Sequence, residues 1–430
     1  MPTTRRQIIR SAGAVGAATV LPAAARGQTA DFVAPDASPE EIAADRDFWA
    51  RVHARYTVTD DIINLENGYW GIMADPVKEA FIANQHRVNE DNTLYARGGG
   101  YGEDRDASYQ SIAELLQVDP EEIALTRGAS ESCQNLITGY NKLEPGDQVL
   151  YADLDYGAMI SNMEFLADRR GVEVVQIDLP EPATHDAMLE AYTQAFERLP
   201  RLRLVLLTHV THRFGVIPPV REIAALARDR GADVILDAAH SWGQVDFKPA
   251  DLGIDFIGFN LHKWIGNPQG AGFLYIKAER TADIDPYMGE PDDGTARSRV
   301  HTGTPNMACW ITVPTAIDFH KAIGPANKEA RLRYLRDLWV KEVRDVPGVD
   351  VLTVDDPRTH AGITGFRLNG QITTDENKAI VERLKDEFGI LTVHRTGAAA
   401  GVCIRVTPAI YTREEDVLAL ADALKVMAKG

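Results

Sequence analysis

The feature that most constrains this chain is a rhythm between about residues 123 and 276, in which short apolar runs alternate with segments of helical spacing. Ile123-Ala124-Leu125-Thr126, Gln148-Val149-Leu150-Tyr151, Val172 to Ile177, Leu204-Val205-Leu206-Leu207-Thr208, Val234-Ile235-Leu236-Asp237, Phe256-Ile257-Gly258-Phe259 and Gly272 to Ile276 read as strands. Helices are expected from about Ser130 and over 157–169, 184–198 and 220–230. Strands apolar on both faces, alternating with helices, imply a largely parallel sheet covered on each side, so the fold class is α/β. Before the rhythm, 39–56, 76–92 and 104–117 have helical spacing. After it, 310–345 reads as a long helical connector. Beyond the connector, strands 361–368, 390–394 and 402–407 surround helices 374–388 and 413–428, a second and smaller α/β unit. A chain of 430 residues exceeds the usual single-domain size, which suits this division. The expected layout is 1–30 a leader, 31–65 an N-terminal segment, 66–310 a large domain, and 311–430 the connector with a small domain.

The leader carries Arg5-Arg6, a weakly apolar Gly/Ala-rich run from Ser11 to Leu21, and Ala23-Ala24-Ala25 at the place a signal peptidase would cut. That order is the layout of a bacterial twin-arginine signal. It predicts a periplasmic mature protein beginning near Arg26 and engagement with the twin-arginine export machinery. That route carries folded proteins and so fits a cofactor loaded before export.

Composition narrows the partners. Sixty-three acids against 45 bases give a net charge of −18, which argues against nucleic acid and anionic membranes. An anionic cofactor would need local positive groups. The three cysteines, Cys133, Cys309 and Cys403, form no disulfide or zinc framework. After the leader no run of 18 apolar residues occurs, so no membrane helix is expected. No GxxxxGKS occurs and no GxGxxG opens an early βαβ unit, which argues against nucleoside triphosphates and dinucleotides. His209, His212 and His240 do not fall at metal-ligand spacing.

In open α/β sheets ligands sit outside the carboxyl ends of strands. Gly128 to Ser130, Tyr156, His212, Asp237 and Lys263 each follow a predicted strand. Lys263 stands in Asn260-Leu261-His262-Lys263-Trp264, ahead of Gly266, Gly270 and Gly272. A lysine in a partly desolvated site has a lowered pKa and becomes a nucleophilic amine able to form a Schiff base. Alone it reads better as a surface loop lysine. Asp237 ends its strand, where a carboxylate can pair with a protonated pyridine nitrogen or simply cap the next turn. Gly128-Ala129-Ser130 opens a helix, and a helix N-terminus with nearby hydroxyls suits a phosphate. Tyr156 could lie on a flat ring or in the core.

Together these residues resemble fold-type-I enzymes dependent on pyridoxal phosphate (PLP), in the class V aminotransferase family and its isopenicillin N epimerase-like branch. The likeness runs from about Asn64 to Tyr411. It rests on Thr126-Arg-Gly-Ala-Ser-Glu-Ser, Thr208-His-Val-Thr-His-Arg-Phe-Gly215, Asp237-Ala-Ala-His240, His262-Lys263-Trp264 and Arg405-Val-Thr-Pro-Ala-Ile-Tyr411-Thr, in that order. The resemblance implies a large domain with a mostly parallel, seven-stranded type of sheet between helices, and a smaller C-terminal α/β domain. It implies that Lys263 holds PLP covalently and moves protons at the α-carbon, and that Asp237 binds the pyridine nitrogen. Gly128, Ala129 and Ser130 would hold the phosphate with Asn260 and His262, and Tyr156 would stack on the ring. His240 stands where many relatives carry Gln near the ring hydroxyl, and His212 where many carry Asn. Thr302-Gly303-Thr304 resembles a segment that reaches the neighbouring subunit's phosphate, so a homodimer with Thr304 in a shared site is implied. Arg405 resembles the arginine that grips a substrate carboxylate, a task suited to its planar fork.

Desulfurases of the group need a nucleophilic cysteine in the loop that here reads Arg395-Thr-Gly-Ala-Ala-Ala-Gly, with Ala400 at the cysteine's place; Cys403 falls inside a predicted strand. A desulfurase is therefore disfavoured. Glu66-Asn67-Gly68-Tyr69-Trp70-Gly71, Tyr95-Ala96-Arg97 and Leu150 to Tyr156 are also similar to exported, twin-arginine-dependent PLP proteins that tailor pyoverdine-type siderophores. The expected activity is PLP chemistry at the α-carbon of an amino acid, free or peptide-linked. A lyase or oxidative decarboxylase acting on a siderophore side chain is one alternative. A non-catalytic periplasmic binder of amino compounds is the other, and the Lys263–Asp237 pair argues against it.

Overall fold

The structure, a computed structural model, describes residues 34–301 and 303–429. The leader 1–30 and Thr302 lie outside the described residues.

Seven strands form the main sheet: β2 (Ile123–Thr126), β3 (Gln148–Ala152), β4 (Glu173–Ile177), β5 (Leu202–Thr208), β6 (Asp233–Ala238), β7 (Phe256–Asn260) and β8 (Gly272–Ile276). Their order is β2-β8-β7-β6-β5-β3-β4, and only β8 runs against its neighbours. The central runs are apolar at every position because both faces are covered: β7 and β8 are buried throughout, as is β5 except at Arg203. Leu150, Val205, Leu207, Leu236, Ile257, Phe259 and Phe273 join one core cluster; Val149, Leu204, Leu206, Ile235, Phe256 and Leu274 join the other. The period-2 alternation of a strand divides the residues between the two faces. Family-type expectations of a mostly parallel α/β sheet are met.

A second sheet of four strands has the order β12 (Val393–Arg395), β13 (Cys403–Val406), β10 (Thr364–Leu368), β9 (Val349–Val351), all pairs antiparallel. Helices Thr374–Phe388 and Glu414–Met427 lie with it around a third core cluster containing Trp339, Phe366, Leu384 and Leu420. A two-stranded parallel pair joins β1 (Ile63–Asn64) to β11 (Ile390–Leu391).

Three local expectations are corrected. The segment 39–56 is two helices, Pro39–Ala43 and Arg46–His53, because the Asp45 side chain leaves the first to cap the second, accepting from the Phe48 N–H at 2.9 Å. The connector 310–345 is three helices, Met307–Ile311, Val313–Ile323 and Pro325–Val343, broken where Pro314 and Pro325 cannot continue the hydrogen-bond ladder. The run 390–394 splits into β11 and β12, which pair with strands of different sheets. The strand β9 carried no sequence expectation. Among the described residues no helix is long and apolar enough to cross a membrane, and no group of three or more His, Cys, Asp or Glu is arranged to hold a metal ion.

Candidate active site

Every parallel strand of the main sheet ends at one edge. There the loops after β2, β3, β5, β6 and β7 enclose a cavity of about 480 Å³. It is lined by Gly128, Ala129, Ser130, Tyr156, His212, Asp237, His240, Asn260, His262, Lys263 and Arg405. Thus eleven of the twelve side chains or backbone groups singled out from sequence meet in one place. Thr304 is exposed and does not line the cavity. Its expected role concerned a neighbouring copy.

The register of the sheet fixes the distances between the motifs. Asp237 on β6 faces Gly258 on β7, and Asn260 on β7 faces Gly272 on β8, which also faces Thr126 on β2. A Cβ on Gly272 would collide with the Gly128 backbone, so two glycines let the β2 turn close over β8. That approach brings the start of helix Ala129–Gly139 to the cavity. Asn260 Oδ1 accepts the Ala129 N–H at 2.7 Å and anchors the turn. The remaining N–H groups of a first helical turn have no intrahelical partner, and the helix dipole adds partial positive charge there. His262 donates Nδ1–H to the Ala271 carbonyl at 3.0 Å.

Across the cavity, Lys263 Nζ lies 3.1 Å from His240 Nε2. Burial lowers the Lys263 amine to about 8, with the Asp237 carboxylate pulling it up and the Arg405 and Arg395 cations pushing it down. Burial raises the Asp237 carboxyl above its usual range; a hydrogen bond from the Ala239 N–H (2.9 Å) and the Lys263 charge act against that rise. His240 and His212 are both held well below the usual imidazole range by burial and by nearby cations, so both are neutral. Tyr156 is 43% exposed at the cavity mouth, with its ring edge-on to His212 at 5.2 Å and 86°. Nδ1 of His212, Nδ1 of His240 and Nε of Arg405 are buried without a hydrogen-bond partner among the described residues.

This arrangement fits pyridoxal phosphate. The helix start offers N–H groups to a phosphate, a desolvated carboxyl stands across from them for a ring nitrogen, and an amine of lowered pKa stands beside both. Unpartnered histidine nitrogens remain to meet the ring's polar substituents. The volume matches a cofactor-sized ligand with room for a small substrate.

Two further residues stand in segments conspicuous in sequence but unassigned to the site: Arg395 on the cavity wall and Glu66 behind it. Glu66, just beyond β1, accepts from Arg405 Nη2 at 2.5 and 2.8 Å and from Arg395 Nη2 at 3.1 Å. Arg395 lines the cavity, as do Gly68 and Tyr69. The segment Glu66 to Gly71 and the loop opened by Arg395 were both conspicuous in sequence, yet no local signal joins them. Cys403 is fully buried in β13, and burial pushes its thiol up to about 12. Cys133 and Cys309 are also buried, and no cysteine lines the cavity.

The profile of the aminotransferase class-V family matches residues 79–420. Isopenicillin N epimerase of Streptomyces clavuligerus is 30% identical over 337 residues, covering 74% of this chain and 83% of that protein. A probable cysteine desulfurase of Vibrio cholerae is 26% identical, covering 80% and 86%. The solved cysteine desulfurase of Escherichia coli superposes with a TM-score of 0.75 at 22% identity, covering 89% of this chain and 98% of that one. The chain therefore belongs to the class-V aminotransferase family, and with it to the pyridoxal-phosphate-dependent enzymes.

Proposed function

We propose that this chain is an exported enzyme that holds pyridoxal phosphate on Lys263 and works at the α-carbon of an amino acid, free or peptide-linked. The observation that carries the reading is the meeting of an amine lowered to about 8 and a buried carboxyl, Lys263 and Asp237, in one cavity at the strand ends. When bound, the cofactor supplies an electron sink for negative charge developing at the α-carbon. Asp237 holds the proton on the ring nitrogen, and its desolvation strengthens that pairing. Gly128, Ala129, Ser130, Asn260 and His262 hold the phosphate. His240 aligns the Lys263 amine, and Tyr156 covers one face of the ring. Lys263 takes a proton from the α-carbon and returns one, which is general acid–base work near its own pKa.

The buried thiol of Cys403 and the alanines of the Arg395 loop support an outcome other than desulfuration. An epimerase among the relatives supports proton removal and return. Twin-arginine export, resting on Arg5-Arg6 and Ala23-Ala24-Ala25, and a homodimer with Thr304 contributed to the neighbouring site complete the proposal.

The test is spectroscopic and covalent. Purified protein shows a visible cofactor absorbance band, and borohydride reduction fixes the cofactor to the peptide bearing Lys263. The Lys263→Ala variant loses both signals; the same band retained in that variant refutes the assignment.

A further inference from the structure

We propose that Lys328 is a positioning residue for Lys263: from behind the Lys263 segment it grips the Trp264 carbonyl and so fixes the direction in which the Lys263 side chain enters the cavity. The inference rests on the reading of Lys263 given above and concerns the side of its loop that faces away from the cavity.

Lys328 stands one turn into helix Pro325–Val343 and is 4% exposed. Its Nζ donates to the Trp264 carbonyl, one residue past Lys263. Its other polar neighbour is His320 Nδ1 at 3.4 Å, on the preceding helix Val313–Ile323. These are the partners of the amine among the described residues, and neither is a carboxylate. Burial lowers the amine to about 7; burial and the cations of Lys328 and Lys248 hold His320 well below the usual imidazole range. A lysine is rarely buried without an opposite charge, because nothing then offsets its desolvation. The fold alone gives no reason for an amine at this place, which an unbranched apolar side chain of the same length would fill.

The amine completes a set of anchors around Lys263. The Gly71 N–H donates to the His262 carbonyl at 2.9 Å, and Gly71 packs on the Lys263 carbonyl so closely that a Cβ would lie 2.1 Å from its oxygen. Gly243 packs on the next peptide, where a Cβ would lie 2.9 Å from the Trp264 carbonyl carbon. Lys328 holds the oxygen of that same peptide. Successive planar peptides at His262, Lys263 and Trp264 are thereby fixed, and with them the backbone torsions of Lys263 and Trp264. Lysine carries its amine on a flexible four-carbon stem, so the backbone supplies only the starting direction. At the far end the Lys263 amine has His240 Nε2 at 3.1 Å. A Trp264 peptide free to turn lets that amine swing off line, and a misplacement of about 1 Å at a reacting atom costs up to ~100-fold in rate.

The experiment uses Lys328→Met, which removes the amine and keeps the length. Chemical denaturation of the cofactor-free protein reports on the fold, and its midpoint stays equal to or above that of the unaltered chain. Stopped-flow absorbance reports the return of the cofactor band when pyridoxal phosphate is added across a pH series. The plateau rate falls roughly tenfold, within the range that misplacement costs. The pH midpoint of the rate does not move, because Asp237, Arg405 and Arg395 around the Lys263 amine are untouched. An unchanged plateau overturns the proposal. A moved midpoint, with or without a lowered plateau, makes the role electrostatic and overturns it too. Failure to fold, or a large loss of stability, assigns Lys328 to the fold and likewise overturns it. If the unaltered protein regains no band at any pH, the reading of Lys263 itself fails, an outcome distinct from the others.

Discussion

The two ends of the cavity are made by different means. At the cofactor end, Gly128, Asp237, Asn260 and Lys263 stand at or just beyond ends of strands in one sheet, and the ladder of that sheet sets their spacing. At the arginine end, Glu66, Arg395 and Arg405 come from three segments, with partners 329 and 339 residues apart in sequence. The first end is held by backbone geometry and would survive the loss of a side chain. The second adds charge to backbone geometry: Arg395 and Arg405 stand on the paired strands β12 and β13, and the Glu66 carboxylate ties both guanidinium groups together. Substitutions at the two ends should therefore fail in different ways: chemistry at one, stability and selectivity at the other.

Asp237→Asn gives the largest effect and the cleanest version of the first case. On the proposed role it removes the charge that would hold the ring nitrogen protonated, and losing one electrostatic partner of developing charge costs on the order of 10²–10³ in turnover. The same change takes a raised, buried carboxyl with one backbone donor out of the interior. Chemical denaturation of the cofactor-free protein should accordingly show stability equal to or above that of the unaltered chain. A variant that kept its turnover, or that lost both turnover and fold, would break the contrast.

Arg405→Gln is the counterpart. Glu66 would keep only the 3.1 Å contact to Arg395, and the His212 carbonyl would lose its donor. Removing one member of a largely buried ion pair costs about 3 kcal/mol or more, because the other charge stays behind. Denaturant unfolding should show a loss of that size even without cofactor. Equal stability of Arg405→Gln and the unaltered chain would mean that the Glu66 clamp contributes nothing to the fold.

The same contrast explains what could be read from sequence. The cofactor end is legible because each residue follows its own apolar strand, so local pattern plus the strand-end rule is enough to bring Tyr156, His212, Asp237 and Lys263 together. The Glu66 clamp is not. A glutamate in a glycine- and aromatic-rich segment carries no mark of the arginines that arrive more than three hundred residues later. In the same way Ile390-Leu391 and Val393–Arg395 look like one strand locally, and only the distant partners β1 and β13 divide them. Arg405 lines the cavity, and its pairing with the Glu66 carboxylate depends on a contact no motif encodes.

The two ends meet at the Lys263 amine, and there the smallest effect is also the sharpest test. The amine must be neutral to attack the cofactor's aldehyde. With its pKa lowered to about 8 by burial, the rate of reloading cofactor-free protein should climb ~10-fold per pH unit below that value and level off above it, instead of climbing towards the 10.5 of a free lysine. The charges around it pull in opposite directions: Asp237 favours the ammonium form, whereas Arg405 and Arg395 disfavour it. Asp237→Asn should therefore move the midpoint of the rate profile downward and Arg395→Gln should move it upward, read by stopped-flow absorbance across a pH series. Shifts in the same direction would mean that one end alone governs the amine; opposite shifts would mean that the charge of the arginine end reaches the reactive nitrogen at the cofactor end.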